Sequence, residues 1–172
     1  MRLSLEKITN LATVAASVAV CFAVGRQYLH ASKTPPLLIP PPGVYQSGEQ
    51  IKEVRDVNFA SAPRTLVLFV RSNCHFCELS MPFYKALSRS PIRSRGGFRL
   101  VAASIEDPAI TSAYLKANHV LVDQIVSVQR GSTKVRGTPT LILVDRNASV
   151  VKAWAGYLPK DGEEDVLKEL SL

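Results

Sequence analysis

The sequence predicts an α/β domain in which a central mixed β-sheet is flanked by helices, with a membrane segment at the N terminus. Short runs of β-branched and aromatic residues alternate with segments of helical periodicity, in the order β-α-β-α-β-β-α, and this order predicts the sheet. An uncharged apolar run near the start of the chain predicts the membrane segment. The 172 residues leave room for one such domain and an appendage.

The apolar run covers residues 8–25 and reads ITNLATVAASVAVCFAVG. As a helix with a rise of ~1.5 Å per residue it would be about 27 Å long, which just spans the hydrocarbon core of a bilayer. We therefore expect residues 1–27 to form a membrane anchor, or a signal peptide cleaved near the small residues Ala23 and Gly25.

The location of the domain follows from this segment. The stretch before the apolar run is short and is expected to stay in the cytoplasm, so the rest of the chain should be extracytoplasmic, on the periplasmic side, or secreted if the segment is cleaved. Residues 28–43 end in TPPLLIPPPG, with five prolines in ten positions, and are predicted to be a semi-rigid linker. The folded domain is then expected over residues 44–172.

The first predicted strand covers residues 65–71 (TLVLFVR), an apolar run typical of a strand buried on both faces. A helix is predicted over residues 75–89, because three apolar residues recur at every fourth position and could face the core. These residues are Leu79, Phe83 and Leu87.

A second strand and helix follow. Residues 98–104 (FRLVAAS) predict the strand, and Asp107 and Pro108 predict a helix start, with the aspartate as N-cap and the proline in the first turn. That helix should end near Asn118. A short strand is expected near Val120.

The last third of the domain predicts a hairpin and a helix. Residues 140–145 (TLILVD) and 149–154 (SVVKAW) have the composition of strands, and the residues between them suit a turn. The final helix is predicted over residues 160–170. Its core-facing residues are expected to be Val166, Leu167 and Leu170.

Two of the three cysteines lie in the stretch CHFC, between the first predicted strand and helix. Unpaired backbone N–H groups and the helix dipole at such a junction favour the thiolate of Cys74. Cys77 lies one turn later, so the two sulfurs could open and close a disulfide. A CxxC pair could instead bind zinc, or two buried cysteines could be inert; zinc would need about four ligands, and His30 and His119 are not in a ligand spacing.

A second motif, RGTPT over residues 136–140, places a proline directly before a predicted strand. Together with CHFC after a buried strand, and with Pro82 five residues beyond the second cysteine, it resembles the thioredoxin superfamily over about residues 63–170. Specifically, the pattern is similar to membrane-tethered TlpA-like thiol-disulfide oxidoreductases. This resemblance implies a thioredoxin-like three-layer fold.

The resemblance also implies roles for single residues. Cys74 would be the nucleophile and Cys77 the buried resolving cysteine. Pro139 would be the cis-proline that faces the disulfide, and Thr138 would present its backbone to an extended substrate segment. The partners would be protein thiols or disulfides, with no metal or organic cofactor.

The residues between the cysteines depart from the usual glycine-proline pair. His75 and Phe76 are expected to contact the substrate, and a protonated His75 could stabilise the neighbouring thiolate. Asn73 stands where thioredoxins have a tryptophan, and Leu68 stands where they have a buried acid. The loss of that acid removes an internal proton acceptor for the second cysteine.

Other functions fit the sequence less well. From residue 44 onward there are 17 basic and 13 acidic residues, a net charge of +4 that fits a solvated surface and does not indicate a nucleic-acid partner. A thiol peroxidase would need proline and threonine where Val67 and Arg71 stand. A copper-binding or copper-delivery protein would need a distal ligand such as His119 beside the two cysteines.

Overall fold

In this computed structural model, residues 17–22, 25–26, 44–129 and 131–172 are described. The chain divides into two compact units, Met1–Ile39 and Pro40–Leu172. In the first unit the described residues are helical. Most of the predicted membrane segment and all of the predicted linker lie outside the described residues. Within the part of the chain that is described, we find no helix with the length and apolarity needed to cross a bilayer.

The second unit is an α/β domain. A 3₁₀ turn, Phe59–Ser61, precedes the first strand. The strands and helices that follow are β1 (Arg64–Val70), α1 (His75–Ser88), α2 (Pro91–Ser94), β2 (Arg99–Ser104), α3 (Pro108–Ala117), β3 (Gln124–Ser127), β4 (Thr140–Asp145), β5 (Val150–Ala155) and α4 (Lys160–Ser171).

The strands form one five-stranded sheet in the order β3-β2-β1-β4-β5. β1 lies at its centre, parallel to β2 and antiparallel to β4, and Leu66 pairs with Leu100 on one side and with Leu143 on the other. β3 continues the parallel part, and β5 forms an antiparallel hairpin with β4. The predicted mixed sheet flanked by helices is confirmed.

The sheet separates two apolar clusters because side chains alternate between its faces. On β1, Leu66 and Leu68 belong to one cluster, and Val67 and Phe69 to the other. The first cluster contains the buried side chains of α1, α3 and α4. The second is completed by a segment that precedes β1, which contributes Tyr45, Ile51, Val54, Val57 and Phe59.

Two predicted core residues are on the surface. Leu79 is 48% exposed and Leu167 is 37% exposed. A spacing of four residues drifts by about 40° per step around a helix of 3.6 residues per turn, so Leu79 lies about 80° away from Leu87, which is buried. Leu167 follows the buried Val166 directly and therefore lies about 100° from it.

The strand predicted near Val120 lies further along the chain, as β3. Val120 instead closes the end of α3: its N–H donates to the Leu115 carbonyl over 2.9 Å. Pairing with β2 begins only at Asp123, whose N–H donates to the Leu100 carbonyl over 2.8 Å and whose carboxylate accepts from the Leu100 N–H over 2.7 Å.

Candidate active site

Cys74 lies between the carboxyl end of β1 and the first turn of α1. It is the N-cap residue of α1, and its Sγ accepts a hydrogen bond from the Cys77 N–H over 3.1 Å. Its carbonyl accepts from the Glu78 N–H over 3.0 Å. The first N–H groups of a helix have no partner within the helix, so a sulfur at this position interacts with donors that also favour a negative charge.

Cys74 and Cys77 are joined by a disulfide, with their Cα atoms 5.2 Å apart. Cys77, in the first turn of α1, is fully buried, whereas Cys74 is partly exposed. A partner in solution can therefore reach the sulfur of Cys74 but not that of Cys77. This asymmetry fits the roles of nucleophile and resolving cysteine that were predicted for them.

The RGTPT motif lies against this disulfide. The Thr138–Pro139 peptide bond is cis, and Thr140 begins β4 opposite Phe69 of β1. The carbonyl oxygen of Thr138 is 3.3 Å from the Cys74 Sγ, and the Thr138 hydroxyl donates to that sulfur over 3.4 Å. The structure thus brings together both motifs found in the sequence, which are 64 residues apart when counted from Cys74 to Thr138.

His75 and Phe76, the residues between the cysteines, are the first two residues of α1, and both are exposed. Their rings contact each other with centroids 5.7 Å apart. With 55% of its surface exposed, Phe76 offers an apolar contact next to the reactive sulfur. Both positions suit the predicted contact with a substrate.

Sequence reasoning missed Glu106, which holds the loop before Cys74. The carboxylate of Glu106 accepts hydrogen bonds from the Ser72 N–H over 2.8 Å, from the Ser72 hydroxyl over 3.0 Å and from the Thr111 hydroxyl over 3.0 Å. The sequence did contain a signal for this contact. β1 and β2 were both predicted as buried strands, and the carboxyl ends of neighbouring parallel strands meet at one edge of the sheet. Ser72 follows the first of these strands and Glu106 follows the second.

Two glutamates, Glu78 and Glu106, place negative charge on the side of the site formed by α1 and α3. The Tyr114 hydroxyl on α3 is buried and has no hydrogen-bond partner among the described residues. Burial raises the pKa of Tyr114, and the nearby carboxylates of Glu78 and Glu106 raise it further. Tyr114 therefore stays neutral, and the charge on this side comes from the two glutamates.

The metal ligands considered from the sequence are not brought together. His119 follows α3 at the end of the sheet opposite the disulfide, because α3 starts near the carboxyl end of β2 and runs back. In the described part of the chain, no three His, Cys, Asp or Glu residues are grouped as ligands. His30 lies outside that part. The copper arrangement of Cys74, Cys77 and His119 is thus not what this fold forms.

These observations define a class of protein: an α/β domain with a CxxC disulfide at a strand-helix junction, faced by a cis-proline. The sequence profile of the thioredoxin-like domain matches residues 51–171, well over half of the chain. The chain therefore belongs to the thioredoxin-like domain family.

Solved structures with a similar fold include three bacterial proteins. One, assigned as the thiol:disulfide interchange protein DsbE from Chlorobium tepidum, is 21% identical, with a TM-score of 0.55 over 74% of this chain and 99% of that chain. A thiol:disulfide interchange protein from Bacteroides sp. is 20% identical, with a TM-score of 0.52 over 73% and 86% of the two chains. A thiol-disulfide isomerase from Corynebacterium glutamicum is 15% identical, with a TM-score of 0.52 over 78% and 97%. No curated protein sequence matches the chain.

Proposed function

We propose that this protein is a thiol-disulfide oxidoreductase that exchanges disulfides with protein partners through Cys74 and Cys77. One observation carries the proposal: a partly exposed N-cap sulfur, bonded to a buried sulfur one turn later, lies 3.3 Å from the carbonyl oxygen of the residue before a cis-proline. The names of the three structurally similar proteins agree with this chemistry.

The exchange needs only the two sulfurs and the partner. In the reduced protein, the Cys74 thiolate attacks one sulfur of a partner disulfide; a mixed disulfide forms and the partner's other sulfur leaves as a thiolate. Cys77 then loses its proton and attacks the Cys74 sulfur, which releases the partner's second thiolate. Two electrons pass to the partner, and the Cys74–Cys77 disulfide remains. The reverse sequence oxidises a partner dithiol.

The site supports each step with a local contact. The N–H of Cys77 and the hydroxyl of Thr138 both donate to the Cys74 sulfur, and either bond becomes stronger when that sulfur carries the charge. Leu68, fully buried on β1, cannot accept a proton from Cys77, so the proton of the resolving thiol must leave by another route.

We further propose that the protein is TlpA-like and works outside the cytoplasm, tethered by the apolar segment over residues 8–25. The support is the sequence: the length of that uncharged run and the proline-rich linker over residues 28–43 that follows it. If the segment is cleaved, the domain is secreted. A membrane-impermeant maleimide should label reduced Cys74 in intact cells; labelling only after lysis would contradict this location.

The exchange is tested by trapping its intermediate. Cys77→Ser should accumulate a mixed disulfide with a peptide disulfide substrate, visible by non-reducing electrophoresis and mass spectrometry, because nothing resolves it. Cys74→Ser should neither trap the peptide nor reduce it. Cys21→Ser, which removes the free cysteine outside the domain, is the matched control and should behave like the wild type. Full peptide reduction by Cys74→Ser would refute the proposal.

The direction of exchange follows from the reduction potential of the Cys74–Cys77 pair. A value near about −270 mV would match a thioredoxin-like reductant, and a value near about −120 mV a strong oxidant. Equilibration of the purified protein with glutathione redox buffers gives this number directly.

A further inference from the structure

A small cavity adjoins Thr138 on the face of the sheet opposite α1. Its volume is about 180 Å³, and a loop leading to the cis-proline forms one wall. Besides two glycines, its lining residues are Arg71, Ile105, Thr133, Val135, Arg136 and Thr138. Neither the CxxC chemistry nor the apolar core accounts for the two arginines at this place.

Arg71 reaches the cavity because it continues the alternation of β1. Val67 and Phe69 belong to the apolar cluster on that face, and Arg71 is the next residue in the same direction, where the strand ends. The Nε of Arg71 is buried without a hydrogen-bond partner, and its guanidinium makes no hydrogen bond or ion pair with a described residue. Unpaired buried donors are rare because they are costly, and an acceptor bound in the cavity would satisfy this one.

Nothing acidic balances the two arginines from within the cavity, as far as its lining residues are described. Three carboxylates that adjoin the lining residues are engaged elsewhere. Glu53 accepts a hydrogen bond from the Tyr45 hydroxyl over 2.6 Å. Glu49 pairs with Lys134 at 2.8 Å, and the Glu106 carboxylate accepts its hydrogen bonds from Ser72 and Thr111. The cavity therefore combines two arginine side chains, one exposed and one partly buried, with no counter-charge among its described lining residues.

The position of the cavity relates it to the redox site. Thr138 lines the cavity, and its carbonyl is 3.3 Å from the Cys74 sulfur. An extended peptide advances by about 3.3–3.6 Å per residue, so a partner whose cysteine is bonded to Cys74 has side chains one to three residues away within reach of the cavity. A planar guanidinium matches the geometry of a carboxylate, which can accept two parallel hydrogen bonds from it.

We propose that Arg71 and Arg136 form a subsite for a carboxylate, and that the preferred partners carry an aspartate or glutamate within three residues of their reactive cysteine. This proposal rests on the oxidoreductase function proposed above and names its substrate class. The same carboxylate chemistry occurs in a small thiol such as glutathione, so the test includes both sources.

The test compares peptide disulfides that are identical except for one residue, two positions from the cysteine: Glu, Gln or Lys. For each peptide, kcat/KM of the reduced protein is measured. We expect the wild type to prefer the Glu peptide over the Lys peptide by about tenfold or more at low salt, with the preference falling as salt screens the charges. Arg136→Gln should reduce this ratio about fivefold, and Arg71→Gln at least as much.

Two further variants make the result specific. Arg146→Gln is the matched control: it removes the same charge from an exposed turn after β4, at the opposite end of the sheet, and should leave the ratio unchanged. Arg71→Lys keeps the charge but not the planar fork and should retain part of the preference. Arg136 is exposed, so Arg136→Gln remains informative even if a change at Arg71 impairs folding.

Each outcome decides the proposal. Equal rates for the three peptides in the wild type, or an unchanged ratio in Arg136→Gln, would overturn the subsite while leaving the exchange reaction intact. Failure of the wild type to reduce any peptide would overturn the proposed function and the subsite with it. A charge preference for oxidised glutathione over neutral hydroxyethyl disulfide that Arg136→Gln removes, without one among the peptides, would assign the carboxylate to a small thiol and overturn the peptide class.

Discussion

Replacement of Glu106 is expected to loosen the loop that carries Cys74, and two substitutions separate the hydrogen bonds of this carboxylate from its charge. Its Oε1 accepts from both the Ser72 N–H and the Thr111 hydroxyl, and its Oε2 accepts from the Ser72 hydroxyl. Glu106→Ala removes all three acceptor contacts. Glu106→Gln keeps an oxygen at one position and places an amide nitrogen at the other.

The magnitudes follow from these contacts. In Glu106→Ala, the Thr111 hydroxyl keeps its 2.8 Å contact with Ser104, so the loss falls on the two donors of Ser72. At about 1–1.5 kcal/mol for each partly buried hydrogen bond to a charged group, the free energy of unfolding should fall by about 2–3 kcal/mol. In Glu106→Gln, Oε1 still accepts both of its bonds, and the Ser72 hydroxyl can rotate to accept from the new amide. The expected cost is below about 1 kcal/mol.

Urea unfolding of the oxidised proteins measures both values, provided that the slopes are equal. Glu164→Ala is a suitable control, because Glu164 is exposed on α4 and its side chain makes no hydrogen bond with a described residue. The rate at which the reduced protein attacks a peptide disulfide should fall with Glu106→Ala and recover with Glu106→Gln. A glutamine variant as unstable as the alanine variant would show that the charge matters, and the reasoning from hydrogen bonds would be wrong.

Two further changes test other contacts. Burial acts to raise the pKa of Asp165, but hydrogen bonds from Lys152 and Trp154 outweigh it, so the pKa lies below its ordinary value. A lowered pKa stabilises the fold above about pH 4 and less at lower pH; Asp165→Ala should therefore cost about 1–2 kcal/mol at pH 7 and less at pH 3 in urea unfolding. Thr138→Val removes a donor to the Cys74 sulfur and should lower the reduction potential by about 10–20 mV in glutathione buffers. An equal cost of Asp165→Ala at both pH values, or an unchanged potential, would contradict these expectations.

Much of the fold could be predicted because its signals are local. Asp107 caps α3 as expected, its carboxylate accepting from the Ala109 N–H over 2.8 Å, and Pro108 is the first residue of that helix. The strand predicted over residues 140–145 has the same bounds in the structure. Caps, prolines and apolar runs act within a few residues, so one sequence is enough to find them.

The position of the third strand was predicted wrongly because contacts between distant parts of the chain determine it. Val120 is a β-branched residue typical of strands, but its N–H donates to the Leu115 carbonyl at the end of α3. The strand is Gln124–Ser127, because these residues pair with β2. The second face of the sheet is covered by the segment that contributes Tyr45 and Phe59, which has no helical or strand period and so gave no signal.

The site shows the same division. The motif residues Cys74, Cys77 and Pro139 lie together, as the resemblance implied. Glu106 and Arg71 belong to no motif in the sequence. Their neighbours across the chain, such as Ser72 and Thr138, are defined only by the order of the strands and by the loop that reaches the cis-proline.

The surroundings of the disulfide differ between the two faces of the sheet, and this difference bears on selectivity. Glu78 and Glu106 act on Tyr114 on the α1–α3 side, whereas Arg71 lines the cavity on the other face. A partner segment that crosses the Cys74 sulfur beside Thr138 extends toward positive charge on one side and negative charge on the other. The exchange of sulfur bonds does not depend on the direction in which the partner segment runs. The contacts of that segment with the charged residues do depend on it, because the two sides carry opposite charges. In the proposed exchange the two cysteines carry the reaction. The charged residues beside them, Arg71 and Arg136 on one face and Glu78 and Glu106 on the other, would bias the choice of partner and its orientation.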